Sequence, residues 1–294
     1  MPLTEGAPDM PAPLPRLIIE PAVRRALEED LGLAGDVTAN AVIPADHRST
    51  VVMAVRKEGV IAGLDAAALA FALIDPEIRM ARHVEDGETV AAGATIATVT
   101  GPSRALLTGE RTALNFLGHL SGIATVTRSI VDAVAGTGAS IVCTRKTTPG
   151  LRALEKYAVK AGGGGNHRFS LADAVLIKDN HIAIAGDIQT AILRAKENAG
   201  HMVKIEVEVD TLEQLEQAMA VGVDAVLLDN MTPETLRRAV AIVGGRAVTE
   251  ASGGITPETA RAVAEAGVDL ISIGWLTHSA PVLDIGLDYK NAGD

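Results

Sequence analysis

The sequence predicts an α/β chain whose second half is an incomplete (β/α) barrel, with its active site at the C-terminal ends of the strands. Apolar β-type runs at Ser140–Thr144, Ala174–Lys178, Lys204–Val209, Ala225–Asp229, Ala247–Ser252 and Leu270–Gly274 alternate with helical stretches. Those stretches are Leu151–Ala161, Ile188–Asn198, Leu212–Val221, Pro233–Val243 and Pro257–Ala266. Near-continuous apolar strands separated by amphipathic helices mean a parallel sheet covered by helices. Polar residues gather at one end of every run, and a barrel is the geometry that brings many strand ends to one mouth. Six strand signals, where a full barrel has eight, make the barrel incomplete.

The helix starts are chemically marked. Thr232-Pro233-Glu234 and Thr256-Pro257-Glu258 each place a capping hydroxyl before a proline at the first helical position.

The first half has a different rhythm. Met1 to Arg16 carries Pro2, Pro8, Pro11, Pro13 and Pro15 without an apolar period, and residues 1–17 are expected to be a disordered arm. Ile18–Leu31 reads as a helix with Pro21 in its first turn and Gly32 as its stop. Ser49–Ala62 alternates and reads as strands with a turn at Lys57–Gly59. Leu64–Ile74 is a short apolar helix ended by Pro76. His83–Gly101 reads as a structural hairpin, since it lacks the tip lysine of a biotinyl or lipoyl carrier module. Arg104–Leu120 carries a helical stripe of Leu106, Leu107, Leu114, Phe116 and Leu117, with Arg111 off the stripe. The tail from Pro281 finds no strand partner in this pattern and is expected to pack back on the first domain.

Composition excludes several classes. A net charge of −11 and 2% aromatics argue against a nucleic-acid partner. The longest apolar run, near Ala66–Ile74, is too short to span a bilayer. One cysteine, Cys143, excludes an internal disulfide framework and reads as a buried hydrophobe. A reducing cytoplasm is the expected location.

Against that negative total, Arg145, Lys146, His167, Arg168 and Lys178 crowd into turns and strand ends between residues 144 and 181. Such a cluster calls for a multiply anionic substrate. Arginine suits bidentate carboxylate recognition, and lysine acts as a point charge or proton donor. Gly162–Gly165 reads as more than a linker, because His167 and Arg168 follow at once. Ser252-Gly253-Gly254 and Ser272-Ile273-Gly274 end the last two strands, where barrels of this kind bind phosphate through backbone N–H groups. Glu208 ends EVEVD and Asp229 ends AVLLD; such acids bind sugar hydroxyls, stabilise a developing cation, or stand near a metal-chelated diphosphate. Alternation puts Glu206 beside Glu208, so one of them also fits an ion-pair partner. Lys178 also fits a Schiff-base lysine. His181 and His119 fit structural and functional roles equally; His201 and His83 read as surface residues.

The runs GERTALNFLGHLSGIAT, TRKTTPGLRALEKYAVKAGGGGNHR, LIKDNHI, EVEVD, LLDN, EASGGI and SIGWLTHSAP resemble the quinolinate phosphoribosyltransferase family, in order, over nearly the whole chain from Ile18. The resemblance implies an N-terminal α/β sandwich over residues 18–120 with 281–294 packed back on it, and a barrel over 121–280. It implies a homodimer, or higher assembly, whose substrates are quinolinate and phosphoribosyl pyrophosphate, the latter with Mg2+. Arg111 then resembles an arginine donated to the partner's site. Arg145, His167 and Arg168 resemble the dicarboxylate clamp, with Thr144, Lys146 and Lys178 lining the site and Lys146 as a proton donor. Glu208 and Asp229 resemble the ribose- and magnesium-side acids. Ser252, Gly253, Gly254, Ser272 and Gly274 resemble the phosphate loops. Trp275 departs from the small residue the family more often places there, and the proline-rich arm has no counterpart. A relative acting on another aromatic acid would share every one of these residues.

Overall fold

The structure is a computed structural model describing residues 11–289; Met1–Met10, most of the expected arm, and Lys290–Asp294 lie outside the described residues. Two compact units are present. One gathers the described residues up to Arg128, Thr148–Gly163 and the described residues from Thr277; the other is Ser129–Thr147 with Gly164–Leu276. The rhythm of the sequence had assigned the helix near 151–161 to the barrel, whereas it clusters with the first unit. No helix among the described residues is long and apolar enough to cross a membrane.

The first unit opens with α1 (Arg16–Leu31), which begins within the expected arm, so Pro21 lies inside the helix and not in its first turn. Helix α2 (Val37–Val42) follows, its N-terminus capped by the Asp36 carboxylate. Next come β1 (Arg48–Val55), β2 (Gly59–Val60), α3 (Leu64–Ile74), β3 (Arg79–Arg82), β4 (Thr89–Val90) and β5 (Thr95–Pro102). The expected His83–Gly101 hairpin is corrected here. Strand β4 pairs with β2, and β5 pairs with β1 and β3, so the two strands belong to different sheets. Alternation identifies a strand but not its partner. The stripe from Arg104 continues further than expected, as α4 (Ser103–Ala133).

The second unit supplies β6 (Ser140–Val142) before α5 (Arg152–Ala161) returns to the first unit. Then follow β7 (Val175–Ile177), α6 (Asp179–Ala185), α7 (Ile188–Asn198), β8 (Ile205–Val209), α8 (Leu212–Val221), β9 (Ala225–Asp229), α9 (Pro233–Val243), β10 (Val248–Ser252), α10 (Pro257–Ala264), β11 (Leu270–Ser272) and α11 (Trp275–His278). Last is β12 (Ile285–Tyr289), back in the first unit.

The tail packs on the first unit as a strand: β12 pairs antiparallel with β1, completing a sheet of order β12-β1-β5-β3. Its approach depends on two glycines of α4. A Cβ on Gly122 would lie 2.0 Å from the Pro281 carbonyl oxygen and one on Gly118 2.9 Å from that of Leu283, so only glycine lets the tail cross the helix there.

In the second unit all six strands are parallel, in the order β6-β11-β10-β9-β8-β7. That is sequence order around a ring left open between β6 and β7, the incomplete barrel. Gly165 sits in the opening. Its N–H donates to Ile141 O at 2.7 Å and its carbonyl accepts from Cys143 N at 3.2 Å, a parallel bridge at the end of β6. Gly165 is therefore fixed to the sheet. Cys143 is fully buried, as expected.

Candidate active site

The strand ends of the second unit open into one cavity of about 410 Å3, lined by Thr144, Arg145, Lys146, His167, Arg168, Lys178, Glu208, Asp229, Glu250, Ser252 and Ser272. Sequence reading had proposed all of these except Glu250. Arg145 and Lys146 follow β6, His167 and Arg168 follow the Gly165 bridge, Lys178 follows β7, and Glu208, Asp229 and Glu250 lie on β8, β9 and β10, which is how parallel strands deliver converging side chains.

The cations come first. Arg145 follows β6, and Arg168 follows the Gly165 bridge; both present a buried Nε without a hydrogen-bond partner among the described residues. Arg168 Nη1 donates to Ala174 O at 2.8 Å. The turn leading from it to β7 is stapled by Asp173, which accepts from Phe169 N at 2.7 Å and Ser170 N at 3.1 Å. Burial, and then the neighbouring Arg145 guanidinium, push Arg168 below its ordinary value. Two guanidinium groups close enough to repel, with donors unused, form a receptor for an anion.

The acids are paired. Glu206 and Glu208 both face inward, as alternation required, and each has a cation. Lys178 Nζ donates to the Glu208 carboxylate. His167 Nε2 lies 2.9 Å from Glu206 Oε2 and 3.8 Å from Glu250 Oε1. His167 Nδ1 accepts the Arg168 backbone N–H at 2.7 Å, which places the ring proton on Nε2, towards Glu206. The Glu206 hydrogen bond raises the imidazole pKa, but a second proton on Nδ1 would break the Arg168 contact.

These His167, Glu206 and Glu250 atoms, all within 4.8 Å of one another, are the closest metal-type grouping among the described residues. The His167–Glu206 contact runs through the Nε2 proton, which an ion would have to displace.

Asp229 is raised by burial first, then by the nearby Glu208 and Asp210 carboxylates. It accepts from Asn230 Nδ2 at 2.6 Å, and Asn230 is the one non-glycine residue with positive φ (53°) among those described.

Ser252 ends β10 and lines the cavity, whereas Gly253 (φ 95°) and Gly254 (φ 59°), which follow it, line a neighbouring cavity with Ile255, Met231 and Pro233. Gly274 follows β11 directly before α11. Trp275 Nε1 donates to Ile255 O at 2.9 Å, linking the two glycine turns.

Three expected candidates have other placements. Arg111 is exposed on α4 in the first unit, beside a separate cavity lined by Ala26, Glu29, Asp30, Thr112, Asn115 and Phe116. His119 bonds the buried Glu155 at 2.9 Å. His181 accepts the Lys178 N–H at 2.9 Å through Nδ1, capping α6.

The quinolinate phosphoribosyl transferase C-terminal domain matches residues 123–288, and the N-terminal domain of the same family matches residues 36–121. The chain belongs to the quinolinate phosphoribosyltransferase family. It is 48% identical over 274 residues to the nicotinate-nucleotide pyrophosphorylase [carboxylating] of Mycobacterium leprae, covering 90% of this chain and 95% of that one. The probable enzyme of that name from Bacillus subtilis is 46% identical over 260 residues, 88% of this chain and 89% of the relative. The crystal structure of NadC from Streptococcus pyogenes superposes with a TM-score of 0.91 at 40% identity, covering 96% of this chain and all of that one. The mixed α/β architecture is thus shared over 96% of this chain.

Proposed function

We propose that the strand-end cavity is where quinolinate and phosphoribosyl pyrophosphate meet, held by the residues described above. The reaction is that of the family: phosphoribosyl transfer to quinolinate with decarboxylation, giving nicotinate mononucleotide, diphosphate and carbon dioxide in NAD biosynthesis. One observation carries the assignment of the site. Arg145 and Arg168 present unpartnered buried donors in the same cavity as Glu208 and Asp229.

In this reading the two guanidinium groups hold the diacid, and His167 fixes the main chain of Arg168. Thr144 and Lys146 complete the wall. The pyridine nitrogen attacks C1 of the sugar as diphosphate leaves, and Glu208 and Asp229 offset the positive charge growing on the ribose. The electron pair left when the C2 carboxylate departs as carbon dioxide stays on C2, stabilised by the adjacent positive ring nitrogen, and Lys146 returns a proton to that carbon. Ser252, Gly253, Gly254, Ser272 and Gly274 supply the surroundings of the 5-phosphate.

Magnesium fits this corner, because Glu208, Asp210 and Asp229 are crowded enough to raise Asp229. Glu208 and Asp229 would stand beside the metal-bound diphosphate, and the ion would supply positive charge to the leaving group. A homodimer in which the exposed Arg111 serves the partner's site belongs to the same proposal, as does a cytoplasmic location.

A Schiff-base role for Lys178 is disfavoured, since its amine is engaged with Glu208. Borohydride with substrate is expected to trap no adduct.

The test is Arg168→Ala assayed with quinolinate. Breaking a buried charge pair costs about 2–5 kcal/mol, so kcat/KM is expected to fall at least tenfold. An unchanged value would overturn the clamp. Carbon dioxide release from quinolinate, with nicotinate inert, separates this substrate from other aromatic acids.

A further inference from the structure

Below the mouth of the cavity lies an arrangement the reaction does not itself require. Glu206 on β8 and Glu250 on β10 are buried, at 8% and 2% exposure, on either side of His167. Glu206 has the ring proton. Glu250 does not: its Oε1 lies 3.8 Å from Nε2, beyond hydrogen-bond reach, and has no hydrogen-bond partner among the described residues. The groups facing it are Glu206, His167, Ser272 on β11 and, further off, Lys178 at the end of β7. The imidazole directs its Nε2 proton to Glu206 and acts on Glu250 through charge alone, which is outweighed by burial and by the Glu206 carboxylate.

A buried carboxylate with one oxygen unpartnered is costly, and a second carboxylate beside it raises the cost. Adding a proton removes both penalties. Glu250 also lines the cavity in which Arg145 and Arg168 await an anion. Its charge is therefore felt by whatever those arginines hold, through a medium of low dielectric.

We propose that Glu250 sets the affinity of the diacid subsite: it binds the dianion as a neutral carboxylic acid, and ionised it expels the dianion. This rests on the reading of the cavity as a quinolinate site. Binding then takes up a proton wherever free Glu250 is partly ionised, because two added negative charges make the neutral form still more favourable. Burial, followed by the Glu206 charge, pushes this carboxyl up to about 7, so the effect falls in the neutral range. Glu250 is a positioning residue for charge, since its partners are Glu206 and His167 and no bond to the reacting atoms is required of it.

The experiment measures KM for quinolinate and kcat between pH 6 and 8.5, at saturating phosphoribosyl pyrophosphate and magnesium, for the full chain and for Glu250→Gln. Calorimetric titration with quinolinate in two buffers of different ionisation enthalpy reads proton uptake directly. In the unaltered enzyme KM is expected to rise about tenfold across the range, following the ionisation of one interacting group, with the pH effect on KM and not kcat. Part of a proton should be taken up near pH 7.5. In Glu250→Gln the KM profile flattens and the uptake disappears. An unaltered slope in Glu250→Gln, or no proton uptake by the unaltered enzyme, overturns the proposal. Should Glu250→Gln fail to fold, the uptake measured on the unaltered enzyme still decides. If quinolinate neither binds nor reacts, the reading of the cavity fails instead, which is a different result from turnover with an unmoved profile.

Discussion

The indole N–H of Trp275 donates to the carbonyl of Ile255 at 2.9 Å, joining the loop after β11 to the loop after β10. The indole of Trp275 thus acts as a tie between the two glycine turns assigned to the 5-phosphate. Trp275→Phe keeps the ring and removes the bond, leaving the Ile255 carbonyl unpaired. One hydrogen bond is worth about 1 kcal/mol, so KM for phosphoribosyl pyrophosphate is expected to rise about fivefold, with kcat little changed. Steady-state kinetics check this; a change in kcat alone would remove the tie from the phosphate site.

Lys178 and Glu208 form an ion pair whose acid side is mostly buried. Removing the lysine leaves Glu208 unpaired close to Asp229, where a diphosphate must bind. Lys178→Met is expected to lower kcat/KM on the order of a hundredfold, because an uncompensated buried carboxylate repels the anionic substrate. The double variant with Glu208→Gln should lose less than the sum of the singles, with a coupling of about 1–2 kcal/mol. Strict additivity would show that the pair does not act as a unit.

The barrel half was legible because its signals are local. Helices α7, α8 and α9 begin and end where their caps and apolar periods place them: Asp187, Thr211 and Thr232 each accept an N–H from the first turn. The first half resisted because its pairings are not local. Strand β3 is mostly exposed, with no apolar face to announce it, and β12 pairs with a strand more than two hundred residues earlier. In the site, the cations and strand-end acids stood out by charge and position. Glu250 did not, since a single acid in VTEAS resembles a solvated residue. The signal was its two-residue spacing from Ser252, which puts both on the inward face. Which acid would pair with His167 depended on the order of strands around the ring, which spacing alone does not contain.

Gly253 shows how tightly the phosphate turn is built. It holds φ at 95°, and a Cβ there would lie 2.2 Å from Asn230 Oδ1 and 2.9 Å from the Asn230 backbone nitrogen. Asn230 is in turn bonded to Asp229. Gly253→Ala therefore strains its own backbone and displaces the side chain that orients an active-site acid. A strained φ alone costs about 1–3 kcal/mol, and kcat/KM is expected to drop at least tenfold while the fold survives. Near-normal kinetics would show that Asn230 has room to yield.

In the first unit, Asp86 accepts the N–H groups of Gly63 and Leu64, at 3.0 and 3.2 Å, and the Tyr157 hydroxyl at 2.9 Å. It caps α3, whose N-cap residue is a glycine with no side chain to do so. Asp86→Ala leaves buried donors unsatisfied and should destabilise by about 2–4 kcal/mol. Tyr157→Phe removes one bond and should cost about 1 kcal/mol. Denaturant unfolding measures both; equal losses would mean that the cap contributes nothing beyond the tyrosine bond.

Stability should also report the buried acid beside His167. Glu250 titrates at about 7 in the folded chain against an ordinary 4.5. A group raised in this way favours folding fully below its unfolded value, and that contribution is lost as pH rises through the folded value. The advantage is therefore complete below pH 4.5 and gone above pH 7. His167, also raised, acts in the same direction, so the wild-type curve alone does not separate them. Glu250→Gln removes the carboxyl's own titration together with the part of the His167 shift that its charge causes. The difference in Tm between wild type and Glu250→Gln should favour the wild type more at pH 5 than at pH 8.5. The swing is on the order of 3 kcal/mol, several degrees for a chain of this size. Thermal melts of both proteins across that range decide it: a difference that stays constant with pH would place Glu250 in an environment that leaves its charge unpenalised.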